Sequence, residues 1–281
     1  MTLEVEGLSF SYGEVENLSG ISLQVDGGEV LGIVGPNGSG KTTLIRCISR
    51  ILVPDSGTVL LDGRDVSGMS RTDIAKEIGF VPQNSVSDQM PPSVYEVVLM
   101  GRLPYITWNY SDQDREIAWK AMQEMDVSDL ASRPFNRLSS GQTQRVLIAR
   151  AITQGAKLIM LDEPTSNLDV RYQIEVLETI RSTVKRKGIS ACLIIHDLDL
   201  AMRFCDRVLL MNSGRVVALG PTTEVLTPEN IESVFGIRTA INTEYGRARI
   251  IVLDRDPAAS FRSILRHIPA SWTIRSSQLP I

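Results

Sequence analysis

The chain has 281 residues, which is enough for one large domain or for one domain with a small appendage. Its formal net charge of -4 leaves no basic footprint and argues against nucleic acid as a partner. No apolar run approaches the ~20 residues of a membrane-spanning helix, and we expect no signal peptide, because no basic region precedes an apolar one at the N-terminus. Three widely separated cysteines and two histidines predict neither a disulfide framework nor a histidine-rich metal site.

The first third of the chain has the pattern of strands around one short helix. Residues 3–24 contain two alternating stretches that predict antiparallel strands, and Val30–Val34 is an apolar run typical of a buried strand. A helix is expected over residues 42–50. Further strands are expected at residues 57–61 and at Ile78–Val81.

In the middle of the chain, the spacing of apolar residues becomes typical of helices. Apolar residues recur at helical spacing through residues 93–131, which indicates an all-helical insert. Strands and helices then alternate, with expected bounds of 158–161, 170–187, 191–195, 197–204 and 207–211. This alternation predicts the α/β class, with a mainly parallel sheet covered on both faces. Beyond about residue 240 the pattern is weaker, although a strand at 249–253 and a helix at 258–267 fit it.

A complete phosphate-binding loop lies between the predicted strand and the predicted helix of the first third. Residues 35–43 read Gly-Pro-Asn-Gly-Ser-Gly-Lys-Thr-Thr, and Gly35, Gly40, Lys41 and Thr42 fill the required pattern. Glycines let the backbone N–H groups point at one centre, Lys41 suits the β- and γ-phosphates, and the Thr42 hydroxyl suits Mg²⁺. A glycine-rich turn that matches by chance is the alternative, and the flanking strand and helix argue against it.

Polar side chains follow two of the predicted strands. Asp162 and Glu163 come directly after an apolar strand, and His196 follows another. Ligands of open α/β sheets bind at the carboxyl ends of the strands, so we expect Asp162 to hold Mg²⁺ and Glu163 to orient or deprotonate water. His196 could contact the γ-phosphate. The alternatives are an acidic turn and a structural histidine.

A serine- and glycine-containing stretch, Leu-Ser-Ser-Gly-Gln at residues 138–142, stands directly before another predicted helix. Serine and glycine are good residues for a helix start, and this is the simplest explanation of the stretch. The functional alternative is a second anion site, formed by free backbone N–H groups and a serine hydroxyl.

Together these motifs resemble the nucleotide-binding subunit of an ATP-binding cassette (ABC) transporter, over about residues 1–238. The resemblance implies a P-loop ABC ATPase core with a mainly parallel sheet, an antiparallel β subdomain and a helical subdomain at about residues 84–137. ATP and Mg²⁺ are the implied substrate and cofactor. Residues 239–281 then form a C-terminal appendage of unknown role.

The resemblance assigns roles residue by residue. Its Walker A motif matches Gly35, Pro36, Asn37, Gly38, Ser39, Gly40, Lys41, Thr42 and Thr43. Other nucleotide contacts are the adenine-stacking Tyr12 and the Q-loop Gln83, and Thr42, Gln83 and Asp162 form the implied Mg²⁺ set. Glu163 matches the catalytic carboxylate and His196 the switch histidine. Contacts to ATP held by a partner subunit are implied for Ser139, Ser140, Gly141, Gln142 and the D-loop Asp169.

One position departs from the family pattern. The first glycine of the LSGGQ signature is Ser140 in this chain. A serine is small enough for a helix start, so we expect the phosphate contact to survive. Its side chain adds bulk where the resemblance implies that two cassettes close on ATP.

A narrower resemblance lies in Met100–Tyr105, which reads Met-Gly-Arg-Leu-Pro-Tyr. The segment is similar to the start of the helical domain in importer subunits for iron–siderophore, heme and cobalamin. A helix broken at Gly101 and Pro104 explains the same spacing.

The family implies several partners. A single cassette needs a second one, most simply in a homodimer, together with transmembrane permease subunits and an external substrate-binding protein. The implied location is the cytoplasmic face of the cell membrane, with no nucleic acid partner. An exporter subunit and a soluble non-transport ABC ATPase remain as alternatives, and the sequence does not name a cargo.

Overall fold

The computed structural model describes residues 2–82, 91–166, 168–243 and 248–253. Its strands are β1 (Leu3–Tyr12), β2 (Val15–Val25), β3 (Val30–Val34), β4 (Ser56–Leu61), β5 (Arg64–Asp65), β6 (Ile78–Val81), β7 (Leu158–Leu161), β8 (Ser190–Ile194), β9 (Arg207–Asn212), β10 (Arg215–Pro221), β11 (Thr239–Asn242) and β12 (Arg249–Val252). Its helices are α1 (Lys41–Ile48), α2 (Arg71–Glu77), α3 (Val94–Leu99), α4 (Asp112–Glu124), α5 (Ser140–Thr153), α6 (Val170–Lys187), α7 (Leu198–Phe204), α8 (Thr222–Val225) and α9 (Pro228–Phe235). Within the described ranges, no helix has the length and apolar character to span a bilayer.

A six-stranded sheet forms the centre of the molecule, with strand order β10-β9-β3-β8-β7-β6. Strands β9, β3, β8, β7 and β6 pair in parallel, and β10 is joined to β9 by an antiparallel hairpin. The predicted α/β class with a mainly parallel sheet is therefore confirmed. Parallel pairing brings the carboxyl ends of β3, β7 and β8 to one edge of the sheet.

Both faces of this sheet are covered, and the alternation of side chains along each strand shows how. In β7, Leu158 and Met160 enter one core cluster, whereas Ile159 and Leu161 enter the other. The first cluster contains α1 and the apolar face of a four-stranded antiparallel sheet, β2-β1-β4-β5. The second contains α3–α7. The apolar run of each central strand thus reflects burial on both faces.

The described residues between β6 and β7, from residue 91 onward, are mainly helical, in agreement with the predicted helical insert. Helices α3, α4 and α5 pack on one another, and three serines begin them. Ser93, Ser111 and Ser139 each form a capping box, with Glu96, Asp114 and Gln142 respectively. Two short 3₁₀ turns at Ser128–Leu130 and Phe135–Arg137 connect α4 to α5.

The C-terminal part of the described chain is a small hairpin of β11 and β12. The backbone N–H of Ile250 donates to Oδ1 of Asp199 at 2.7 Å, which ties β12 to α7. The strand predicted at 249–253 is therefore present as β12. The helix predicted at 258–267 lies outside the described residues.

Candidate nucleotide-hydrolysis site

The loop between β3 and α1 needs glycine at two positions where the backbone runs against its neighbours. Gly35 has φ of 152°, and a Cβ there would lie 2.2 Å from the carbonyl oxygen of Met211. Gly40 has φ of 94°, and a Cβ there would lie 2.7 Å from Leu18. Both glycines let the loop curl tightly between β9 and β2, so that α1 begins directly behind it.

Lys41 is the first residue of α1 and is 6% exposed. Its Nζ donates to the carbonyl oxygens of Gly35 and Pro36, both at 2.8 Å. Burial lowers the pKa of Lys41, and the charges of Glu163 and Asp162 partly oppose this shift. The ammonium group thus sits inside the loop, where it can turn from backbone carbonyls to phosphate oxygens.

Thr42 and Asp162 meet across the base of the loop. Oγ1 of Thr42 donates to Oδ1 of Asp162 at 2.9 Å. Asp162 is buried, and burial raises its pKa, an effect that the Thr42 hydrogen bond opposes. A hydroxyl and a carboxylate at this spacing are hard oxygen donors of the kind that Mg²⁺ takes alongside phosphates. The residues present therefore fit the implied Mg²⁺ ion.

Glu163 and His196 form the second polar pair of the site. Nε2 of His196 lies 2.6 Å from Oε1 of Glu163. Glu163 has φ of 53°, a left-handed conformation that is costly for a residue with a side chain. Its carbonyl oxygen accepts hydrogen bonds from the backbone N–H and the hydroxyl of Ser166, which hold this turn. The strained residue therefore lies directly after β7, where its carboxylate faces the phosphate loop.

A pocket of about 160 Å³ brings the loop together with Glu163. Its lining consists of Asn17, Asn37, Gly38, Ser39, Gly40, Lys41, Thr42, Thr43 and Glu163. Sequence reasoning missed Asn17, which β2 contributes and which no motif marks. In the described part of the chain, the buried Oδ1 of Asn17 and Oγ of Ser39 have no hydrogen-bond partner. Buried polar atoms without a partner are suited to a polar ligand.

The stretch at residues 138–142 spans the start of α5 and does not line this pocket. Ser139 caps α5, and Ser139 and Ser140 are exposed. Gly141 is buried against α6, since a Cβ there would lie 3.3 Å from the ring of Tyr172. Ser140 is the first residue of the helix and is not among the described residues with positive φ, so a serine fits its backbone.

Two other predicted site residues, Tyr12 and Asp169, do not line this pocket. Tyr12 ends β1, is 49% exposed and packs edge-on against Phe10, with 4.8 Å between ring centroids. Asp169 is exposed at the start of α6, and its side chain does not cap the helix. Gln83 lies outside the described residues, so its predicted roles stay predictions.

Residues 18–166 match the family model described as ABC transporter. The matched range contains the phosphate loop, the signature stretch, Asp162 and Glu163. The chain belongs to the ABC transporter family of ATP-binding subunits. The resemblance suspected from the motifs is confirmed, and the chain is an ATPase of this family.

Curated relatives of this ATP-binding subunit carry import names. The Cobalamin import ATP-binding protein BtuD of Halobacterium salinarum is 39% identical over 94% of this chain and 67% of its own length. The Hemin import ATP-binding protein HmuV of Pseudomonas entomophila is 40% identical over 90% of this chain and 100% of its own length.

Solved structures agree with the fold of the subunit. A chain from an inward-facing ABC transporter assigned to the metal-chelate type is 30% identical and superimposes with a TM-score of 0.80, over 90% of this chain and 98% of its own. A dimeric ATP-binding cassette in a post-hydrolysis state with ADP and phosphate is 26% identical, with a TM-score of 0.69 over 78% of this chain and 98% of its own. Pairing of cassettes is therefore a property of structures that share this fold.

Proposed function

We propose that the chain is the ATP-hydrolysing subunit of an importer for metal chelates of the iron–siderophore, heme or cobalamin class. The observation that carries the proposal is the close similarity, over most of the chain, to subunits named for cobalamin and hemin import. The Met100–Tyr105 segment, which resembles the same importers, points the same way.

ATP binding is assigned to the phosphate loop. The backbone N–H groups at residues 35–43 and the ammonium group of Lys41 bind the phosphates, and Tyr12 stacks on adenine. Thr42 and Asp162, with Gln83, would hold Mg²⁺. When bound, this ion neutralises charge on the phosphate oxygens.

Hydrolysis is assigned to the pair at the ends of β7 and β8. Glu163 accepts a proton from a water molecule as the water oxygen forms a bond to the γ-phosphorus. The bond between the γ-phosphorus and the oxygen that bridges it to the β-phosphorus breaks. ADP and phosphate result. His196 lies 2.6 Å from Glu163, which supports a role in holding this carboxylate, and we assign it the contact to the γ-phosphate as well.

A second cassette completes the site. Ser139, Ser140, Gly141 and Gln142 start a helix whose N-terminus is partly exposed and therefore able to bind an anion outside its own chain. We assign these residues, with Asp169, to ATP held by Lys41 of a second copy in a head-to-tail homodimer.

Permease subunits are the second class of partner. A groove of about 540 Å³ opens between the end of α1, α2 and the Met100–Tyr105 segment, and its lining includes the exposed apolar residues Ile51, Met100 and Leu103. Exposed apolar residues around a groove are suited to binding another protein. We assign this groove to the permease, at the cytoplasmic face of the membrane, and an external substrate-binding protein would deliver the cargo.

Uptake measurements test the proposal. In cells that lack the gene, the wild-type chain should restore uptake of labelled ferric siderophore, heme or cobalamin, and Glu163→Gln should not. Glu116→Gln, an exposed carboxylate on α4, is the matched control and should restore uptake. Unchanged uptake of all three compounds in the deletion strain, or a loss of efflux instead, would contradict an importer of this class.

A further inference from the structure

The Met100–Tyr105 segment is a 3₁₀ turn that follows α3, and one of its side chains joins two helices. Nε of Arg102 donates to Oδ1 of Asp114 at 2.8 Å, in the first turn of α4. Nη1 of the same residue donates to the carbonyl oxygen of Thr153 at 3.1 Å, the last residue of α5. The Arg102 guanidinium also stacks on the ring of Tyr105, 3.9 Å from its centroid.

The cluster of Arg102, Asp114 and Tyr105 is held by contacts that are partly shielded from solvent. The side chains of Arg102 and Asp114 are each 13% exposed, far less than those of a typical surface ion pair. Hydrogen bonds from Ser111 and from Arg102 hold the pKa of Asp114 at about 2, so the carboxylate is charged at neutral pH. A guanidinium can bond two acceptors and stack at once, which a lysine cannot do.

The segment contacts the C-terminal end of α5 at two further points. The hydroxyl of Tyr105 donates to the carbonyl oxygen of Gln154 at 3.0 Å. A Cβ at Gly101 would lie 2.3 Å from the carbonyl oxygen of Arg150, so the turn approaches α5 too closely for a side chain at this position. The carbonyls of Thr153 and Gln154 at the end of α5 thus receive one cationic donor and one neutral donor, groups that stabilise a helix C-terminus.

The same end of α5 forms hydrogen bonds to β6 of the six-stranded sheet and to α2. Nε2 of Gln154 donates to the carbonyl oxygen of Ile78 at 2.9 Å and also to that of Ala75. The Arg150 guanidinium donates to the carbonyl oxygen of Phe80 at 3.4 Å. The end of α5 therefore joins the helical region to β6.

The other end of α5 carries the signature stretch. Its 14 residues span about 20 Å at the rise of an α-helix, so a tilt at Thr153 displaces Ser139 and Gly141. Met100 and Leu103 of the Met100–Tyr105 segment line the groove assigned to the permease. One short turn therefore connects that groove to a helix that starts with the signature.

We propose that Arg102 is a positioning residue for ATP hydrolysis, which fixes the end of α5 and thereby the orientation in which Ser139, Ser140 and Gly141 meet the partner subunit's ATP. The inference rests on the proposed pairing of cassettes. Arg102 itself does not line the phosphate pocket and acts through α5.

The test separates assembly from nucleotide binding. In purified chains carrying Glu163→Gln, the dissociation constant of the ATP-bound dimer is measured by sedimentation, with and without Arg102→Gln. Loss of charge-assisted hydrogen bonds at the end of α5 should weaken the dimer about tenfold. The affinity of the monomer for a fluorescent ATP analogue should change less than about twofold, because Lys41 and its loop lie elsewhere.

Three matched variants accompany this measurement. Arg115→Gln removes an exposed arginine from α4, next to Asp114 in the sequence, and should leave the dimer unchanged. Arg102→Lys retains the positive charge beside Asp114 but not the planar guanidinium with its several N–H donors, so an intermediate loss of dimer affinity is expected. This lysine variant replaces Arg102→Gln if the glutamine variant does not fold. Tyr105→Phe retains the ring beneath Arg102 and should have a smaller effect.

Each result has one meaning. If Glu163→Gln alone does not dimerise with ATP, the proposed pairing is wrong. If it dimerises and both Arg102 variants match it, the inference about Arg102 is overturned. An equal loss of monomer ATP affinity would also overturn it, because a general structural defect would then explain the effect.

Discussion

At the scale of single residues, the phosphate loop depends on the space beside Gly35. An added Cβ would lie 2.2 Å from the Met211 carbonyl oxygen, so Gly35→Ala must displace β9 or the loop. We expect it to lower the free energy of unfolding by about 3 kcal/mol, measured by urea denaturation. Gly38→Ala is the matched control, since φ there is 78° with no atom within 4 Å, and it should cost about 1 kcal/mol. Equal losses would contradict the close contact.

The role of Glu163 is also decided by one side chain. Glutamine can keep a hydrogen bond to His196, whose Nε2 lies 2.6 Å from Oε1, but it cannot accept the proton of water. We expect Glu163→Gln to lower the turnover of ATP at least about 100-fold while the chain still binds ATP, measured by phosphate release and by equilibrium binding. Turnover near the wild-type rate would exclude Glu163 as the general base.

At the scale of elements, sequence and structure agree where a motif is local. The phosphate loop and the carboxylates after β7 each lie in one short stretch, so their strand and helix context was predictable. The end of α1 was not predictable. The helix ends at Ile48, and Arg50 adopts φ of 53° although no glycine marks the turn. Arg102 and Thr153 are 51 positions apart, and no local pattern predicts such a contact.

The C-terminal hairpin gives an element-scale prediction. Oδ1 of Asp199 accepts the backbone N–H of Ile250 at 2.7 Å and ties β12 to α7. Asp199→Ala should speed hydrogen exchange of the Ile250 amide about tenfold, because a charge-assisted hydrogen bond is lost. Asp199→Asn keeps an acceptor and should change the exchange less. An unchanged rate in the alanine variant would mean that other contacts hold the hairpin.

At the scale of the whole molecule, the proposed site is divided between two surfaces. Lys41, Thr42 and Glu163 meet at one edge of the sheet, and Ser139 and Ser140 are exposed at the start of α5. The groove that we assign to the permease lies at the other end of α5, next to Arg102. In the proposed arrangement, a second cassette completes the hydrolysis site, and a membrane permease couples it to transport.

Purification of the Glu163→Gln chain with ATP from native membranes tests the central claim most directly. Proteins that remain bound would be identified by mass spectrometry, with Lys41→Ala as the matched control for capture that needs bound ATP. An importer predicts a second copy of the chain, a polytopic permease and an external substrate-binding protein. A permease without a binding protein would favour export, and soluble partners alone would contradict the transporter account while leaving the ATPase in place.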